Sequence, residues 1–234
     1  MIIGALWTAQ IVLFIVGWFG PWRDPPEHGT NGRVPRPMRM ALSASLVLAA
    51  FLIWRRSAPD VTAYTQWVFL GMCASFVGDL IMAKLIPSPN RLIGGMSAFG
   101  LAHALYVTAY VQTLHRNGIA AVNAGLLVGL LLYGLGGVGG WWVFVRNPRK
   151  EPLLNAGALI YGLWISVMAS FALALAIALG GTWWITALGG VIFVISDMLI
   201  GLTDIRGIHI TKANDWIWLT YLAGQMGIIY AAWA

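Results

Sequence analysis

Charge is what this sequence has least of. Only 9% of its 234 residues are Asp, Glu, Lys or Arg, against about 25% in a soluble domain, which excludes a water-soluble fold. A single cysteine, Cys73, excludes an intrachain disulfide. The N-terminal stretch has neither a basic n-region nor a small-residue cleavage site, so it is expected to be a first spanning helix and not a removed signal peptide. Histidine is also sparse. Three of the four, His28, His115 and His209, fall in expected loops on both sides, leaving His103 alone at depth. A catalytic zinc needs about three protein ligands, so no metal site is expected, and no cofactor. The net charge of +6 comes from residues in short loops and not from one polar face, which argues against a nucleic-acid partner.

What remains is 59% hydrophobic. In lipid every backbone polar group must be satisfied internally, which leaves helices or a closed barrel. The apolar runs last about 20 residues, where barrel strands would alternate over roughly 10. The expectation is therefore an all-α polytopic membrane protein. Its eight transmembrane helices are placed at about 2–20, 37–54, 62–86, 92–114, 119–145, 152–179, 182–203 and 213–233 in one domain, residues 1–234. Pro35, Pro37, Pro87, Pro89, Pro148 and Pro152 punctuate the spans. The loop from Gly20 to Arg36, with Pro25, Pro26, Gly29 and Gly32, is expected to be irregular. The glycines at 134, 136, 137, 139 and 140 lie in an apolar span without lysine, so close helix packing is expected there and not a phosphate loop.

Basic residues give the orientation. Eleven (Arg23, Arg33, Arg36, Arg39, Lys84, Arg91, Arg146, Arg149, Lys150, Arg206 and Lys212) fall on one side, and three (Arg55, Arg56 and Arg116) on the other. The positive-inside rule makes the first side cytoplasmic. An even number of spans then leaves both termini outside, and the location expected is a bacterial cytoplasmic membrane. Tryptophans such as Trp18, Trp22, Trp54, Trp141, Trp183 and Trp216 fall near span ends, as an aromatic belt would.

Two carboxylates interrupt the spans, Asp79 and Asp197. A charge in the membrane costs at least about 2.5–3.5 kcal/mol, so a functional reading is the default. At 1.5 Å per residue, Asp79 lies roughly 10 Å from the cytoplasmic end, Asp197 roughly 9 Å, Tyr221 about 12 Å, Tyr161 about 14 Å, and His103 and Gln225 about 18 Å. Ser75 shares a helix face with Asp79, and Tyr221 with Gln225. One converging cavity explains these depths. The plainer reading is that the aspartates hold the bundle by hydrogen bonds and that His103 is a packing residue. Ser196 adjoins Asp197, but neighbouring helix positions do not face each other, so a serine triad is not supported. Arg36, Arg91 and Lys212, near the mouths of the polar spans, suit a lipid phosphate. The segment Phe76 to Ala83 also echoes Val194 to Gly201. Both aspartate spans run inward, so the echo would be a parallel four-plus-four repeat.

Gly71 to Asp79, Ala98 to Tyr106 with His103 inside it, Ile192 to Asp197, and Tyr221-Leu-Ala-Gly-Gln225 together resemble the YhhN family, the family of the lysoplasmalogenases. Arg36-Pro37-Met38 is similar to that family's Lys-Pro-Leu, with arginine for lysine, and the resemblance runs from about residue 36 to the C-terminus. It implies hydrolysis of the vinyl ether of a lysoplasmalogen, a lysophospholipid, to a fatty aldehyde and a glycerophospho head group. The residues suit that chemistry. Acid hydrolysis begins by protonating the β-carbon and needs one protonated carboxyl and one ionised partner, as in a glycosidase. Burial and a neighbouring carboxylate both disfavour ionisation. Asp79 and Asp197 are the expected catalytic pair, with no order between them. Ser75, His103, Tyr161, Ser196, Tyr221 and Gln225 are expected to position water and the ether oxygen. The phosphate would sit near Arg36, Arg91 and Lys212, and the tail among apolar spans. A proton-coupled carrier and a non-catalytic lipid-binding protein are the alternatives.

Overall fold

The structure, a computed structural model, describes residues 2–21 and 32–233. Most of the expected irregular loop, including Trp22, Arg23, Pro25, Pro26, His28 and Gly29, lies outside the described residues.

Among the described residues eight α-helices follow one another: α1 (Ile2–Phe19), α2 (Arg36–Arg56), α3 (Thr62–Met82), α4 (Arg91–Arg116), α5 (Ala124–Gly140), α6 (Pro152–Leu179), α7 (Trp183–Ile200) and α8 (Ala213–Tyr230). Local chemistry sets their ends. Pro37 and Pro152 sit in the first turns of α2 and α6, where a missing N–H leaves nothing unpaired. Asn90 caps α4, its side-chain oxygen accepting from the N–H groups of Leu92 and Ile93, and Asn123 caps α5 through Leu126. α3 stops at Met82, short of the expected 86, because Lys84 adopts a left-handed backbone with φ 58. The N–H of Leu85 then folds back onto the carbonyl of Leu80 at 2.8 Å. Residues 119–123, expected to be helical, are a connection between Gly118 and the Asn123 cap.

Seven of the eight helices are long and apolar enough to cross a membrane. α8, expected as the eighth span, is less apolar because it carries Asn214, Asp215 and Gln225. Its polar side chains point inward: Asp215, Tyr221 and Gln225 are all buried, and α8 packs on α7, α2 and α3. The outward surface is apolar, with Leu131, Leu135 and Ile160 more than 60% exposed, as lipid contact requires. This is a polytopic all-helical membrane protein.

The pairing of helices is the same in each half. α1 packs on α2, α2 on α3 and α3 on α4, and likewise α5 on α6, α6 on α7 and α7 on α8. Between the halves, α4 packs on α6 and α8 on α2. α7 and α8 approach closely because Gly189, Gly224 and Gly227 present no side chains to one another. A Cβ on Gly189 would lie 2.8 Å from the carbonyl oxygen of Gly224. The expected close packing of the α5 glycines holds for some of them. Gly137 faces Ser166 and Gly140 faces Met198, whereas Gly134, Gly136 and Gly139 face open space.

Both α5 and α7 pass into a π-helical turn, Trp141–Val145 and Gly201–Ile205, and the two turns pack together. This is the basic end of the bundle. Arg206 donates to the carbonyl of Arg146, Asn147 to that of Ile205 at 2.8 Å, and Arg91 pairs with Asp204 at 3.0 Å. Asp215, which opens α8, accepts the N–H groups of Arg33 and Val34 at 2.8 and 3.0 Å, tying the segment before α2 to α8. At the other end Arg116 donates to the carbonyl of Pro59 at 3.2 Å.

Candidate functional site

Asp79 points from the last turns of α3 into the space between α2 and α8. Its Oδ2 accepts hydrogen bonds from the hydroxyls of Ser43 and Tyr221, the latter at 2.6 Å, and only 4% of the residue is exposed. Asp197, on α7, accepts from the Tyr161 hydroxyl on α6. Because that hydroxyl donates its hydrogen bond to the Asp197 carboxyl group, the 3.1 Å contact between Tyr161 and His103 has Nε2–H of His103 as donor. His103 is fully buried, and its Nδ1 has no hydrogen-bond partner.

A constant separation in sequence relates these groups. Ser43, Asp79 and His103 fall 118 residues before Tyr161, Asp197 and Tyr221 (43 to 161, 79 to 197, 103 to 221). Each aspartate is bonded by the helix before it in its own half, α2 or α6. The second tyrosine or histidine reaches in from the last helix of the opposite half, α8 or α4.

Both aspartates border one polar cavity at the basic end, together with Tyr221, Arg36, Arg39 and Arg91. Ser196 also borders it, but its hydroxyl donates to the carbonyl of Ile217 at 3.0 Å and so pins α7 to α8. A second, apolar cavity lies between α4, α5, α6 and α7, lined by Tyr161, Ile165 and Val194 among others. The two share four wall residues, Met82, Phe99, Asp197 and Ile200. Asp197 thus faces both spaces, and Asp79 only the polar one. Phe99 stands edge-on to Phe193 and Tyr221, with ring centroids at 6.4 and 6.1 Å. Gly78 makes room for it, since a Cβ there would lie 2.9 Å from the Phe99 ring.

No curated protein and no solved structure matches the chain. The model of the YhhN family does, over residues 38–232. The chain belongs to the YhhN family. The matched stretch runs from α2 to the turn after α8 and so includes Ser43, Asp79, His103, Tyr161, Asp197 and Tyr221.

In this YhhN protein the residues singled out from sequence fall into three groups. Arg36, Asp79, Arg91, Ser196, Asp197 and Tyr221 border the polar cavity, and Tyr161 borders the apolar one. Ser75, His103 and Gln225 lie behind them, with no exposed surface. Gln225 accepts from Tyr106 at 2.8 Å and donates to Ser75 at 3.0 Å, and Ser75 and Tyr106 are 3.4 Å apart. That triangle satisfies its own members and does not reach the cavity. Lys212 is elsewhere. Its left-handed backbone, φ 57, turns its ammonium over Trp18, 5.8 Å from the ring.

Four contributors were not picked out from sequence. Ser43 and Tyr106 were missed because a serine or tyrosine within a helix is ordinary, although the 118-residue separation pairs Ser43 with Tyr161. Arg39 lies one helical turn beyond Arg36 and borders the same cavity, its guanidinium 5.9 Å from the Trp218 ring. Asp204, the partner of Arg91, lies seven residues beyond Asp197 (204 against 197), in the π-helical turn that continues α7, and borders the same cavity. No group of three or more possible metal ligands occurs among the described residues.

Proposed function

We propose that this YhhN protein is a membrane hydrolase that cleaves the vinyl ether bond of a lysophospholipid, a lysoplasmalogen, by the joint action of Asp79 and Asp197. The observation that carries this reading is that two intramembrane carboxylates front a single cavity which also holds Arg36, Arg39 and Arg91 and shares a wall with an apolar chamber. An anionic head group suits the first space and a hydrocarbon chain the second. The positive-inside bias supports a cytoplasmic position for the basic end, with the whole chain acting as one transmembrane domain.

The position of Asp197 supports its role as the acid. In the vinyl ether the carbon that takes the proton lies on the chain side of the oxygen, and Asp197 stands where the apolar chamber meets the polar cavity. Its proton passes to that carbon, the double-bond electrons forming the new C–H bond. A lone pair on the ether oxygen then makes an oxocarbenium ion. Asp79 acts in its carboxylate form, its Oδ2 accepting from Ser43 and Tyr221; it faces that cation and takes a proton as water adds to the neighbouring carbon. Collapse of the hemiacetal breaks the bond to glycerol. Asp79 returns its proton to the departing oxygen, and the hemiacetal hydroxyl gives its own to Asp197. The products are the aldehyde and the glycerophospho head group, and both carboxyls are restored. This division of labour between two carboxyls is general acid and base catalysis of the kind glycosidases use.

A second reading has its own support. Two similarly paired half-bundles, each with an ionisable residue at their interface, also suit a proton-coupled carrier. One experiment separates the two: aldehyde release from lysoplasmalogen by purified protein, with Asp79→Asn and Asp197→Asn checked for monodispersity, beside substrate uptake into proteoliposomes. Release by the wild type that falls to a small residual rate or is lost in both variants supports the hydrolase. Uptake without aldehyde supports the carrier.

A further inference from the structure

Four glycines, Gly95, Gly137, Gly162 and Gly201, line the apolar chamber. Three are packed against its walls. A Cβ would lie 2.7 Å from the Met82 sulfur at Gly95, 2.7 Å from the Ser166 hydroxyl at Gly137, and 2.7 Å from a Val145 methyl at Gly201. Small size at these positions is explained by the contacts themselves. Gly162 differs, because a Cβ there would meet nothing within 4 Å. It lies inside α6, a helix of 28 residues, where glycine is the poorest residue short of proline. Neither a turn nor a close neighbour accounts for it. Its carbonyl accepts from Ser166, and its missing side chain leaves space in the chamber, one residue from Tyr161, the hydroxyl that bonds Asp197.

The chamber adjoins the polar cavity across the shared wall residues Met82, Phe99, Asp197 and Ile200, so a molecule reaching both is an amphiphile with one chain. We propose that the chamber between α4, α5, α6 and α7 binds the single hydrocarbon chain of a lipid, and that Gly162 sets the length and bulk of chain accepted. This rests on the lysophospholipid reading for the identity of the head group. The chamber's preference for a chain does not depend on any reaction taking place.

The test therefore uses a ligand that cannot react. Saturated alkyl lysophosphoethanolamines of 12 to 20 carbons lack the double bond, and their binding to the full-length detergent-purified protein is read by tryptophan quenching. Each buried methylene contributes about fourfold to affinity, so wild-type affinity climbs with chain length and then levels. A leucine at 162 puts four carbons into the chamber. In Gly162→Leu the plateau moves about four carbons shorter, and the longest chain binds at least tenfold more weakly while the shortest is unchanged. Gly162→Ala moves the plateau by about one carbon and keeps or raises the melting temperature, which holds the test open should the leucine variant fold poorly. Gly134→Leu is the control, since Gly134 also has open space around it but does not line the chamber. Equal shifts in Gly134→Leu and Gly162→Leu, or no shift at either Gly162 variant, would overturn the proposal. A normal shift with no aldehyde from the vinyl ether substrate would sink the hydrolase reading and leave the chamber assignment standing.

Discussion

Replacing Tyr221 by phenylalanine removes one hydroxyl and almost nothing else. The ring keeps its edge contacts with Trp218 at 5.2 Å, Phe193 at 5.5 Å and Phe99 at 6.1 Å, so the packing of α8 survives. What is lost is the 2.6 Å bond to Asp79 Oδ2. A hydrogen bond to a charged group contributes about 1.5–3 kcal/mol, so kcat/KM for aldehyde release falls roughly 10- to 150-fold if Asp79 works as a carboxylate facing the cation. The assay is steady-state aldehyde release by purified Tyr221→Phe, read against its melting temperature. A double-mutant cycle sharpens it. In the Asp79→Asn background the charge is gone, and adding Tyr221→Phe lowers the residual rate by less than threefold. Full activity in the single variant, or an undiminished effect in the double variant, would refute the idea that Tyr221 acts through an ionised Asp79.

Tyr161→Phe is expected to lower kcat/KM by a similar factor through Asp197, and His103→Ala by less, because His103 acts only through the Tyr161 hydroxyl. Adding His103→Ala to Tyr161→Phe therefore leaves the rate unchanged within twofold, which a kinetic cycle checks. Gln225→Leu removes the acceptor of the Tyr106 hydroxyl and a donor to Ser75 in a site with no exposure, leaving these two only their 3.4 Å contact with each other. About 1–3 kcal/mol of stability is lost, visible as a lower melting temperature at unchanged KM. Asp215→Ala leaves the N–H groups of Arg33 and Val34 without their acceptor and is expected to destabilise by a comparable amount, read in the same melting assay. Gly189→Ala drives a methyl to 2.8 Å from the Gly224 carbonyl oxygen. Overpacking of about 1–3 kcal/mol follows, because backbone, not a flexible side chain, stands in the way.

Hydropathy and proline placement made the helices legible, since a run of about 20 apolar residues has few other folds open to it. The ends were less so. α3 closes four residues early because Lys84 turns left-handed, and no composition rule selects a lysine for that role. The site was legible in its carboxylates, which are conspicuous in lipid, and in Tyr161 and Tyr221, whose depths agree with theirs. What sequence spacing could not supply was rotation about each helix axis. Ser75 does share a face with Asp79, yet that face turns from the cavity toward Tyr106 and Gln225 one turn deeper. Lys212 looked close to the site by its number, but a positive φ sends it to Trp18. The echo between the two aspartate segments was visible. The partners it relates, Ser43 with Tyr161 and His103 with Tyr221, differ in residue type, so similarity alone passes over them.

The most direct test of the central claim is to run the reaction in heavy water. Purified protein, given a lysoplasmalogen, is expected to release a fatty aldehyde carrying one deuterium on the carbon next to the carbonyl, placed there by Asp197, with no release by Asp197→Asn. No aldehyde from a lysoplasmalogen with an ethanolamine or a choline head group in several lipids, or an aldehyde without that deuterium, would contradict protonation of a vinyl ether by this pair of aspartates.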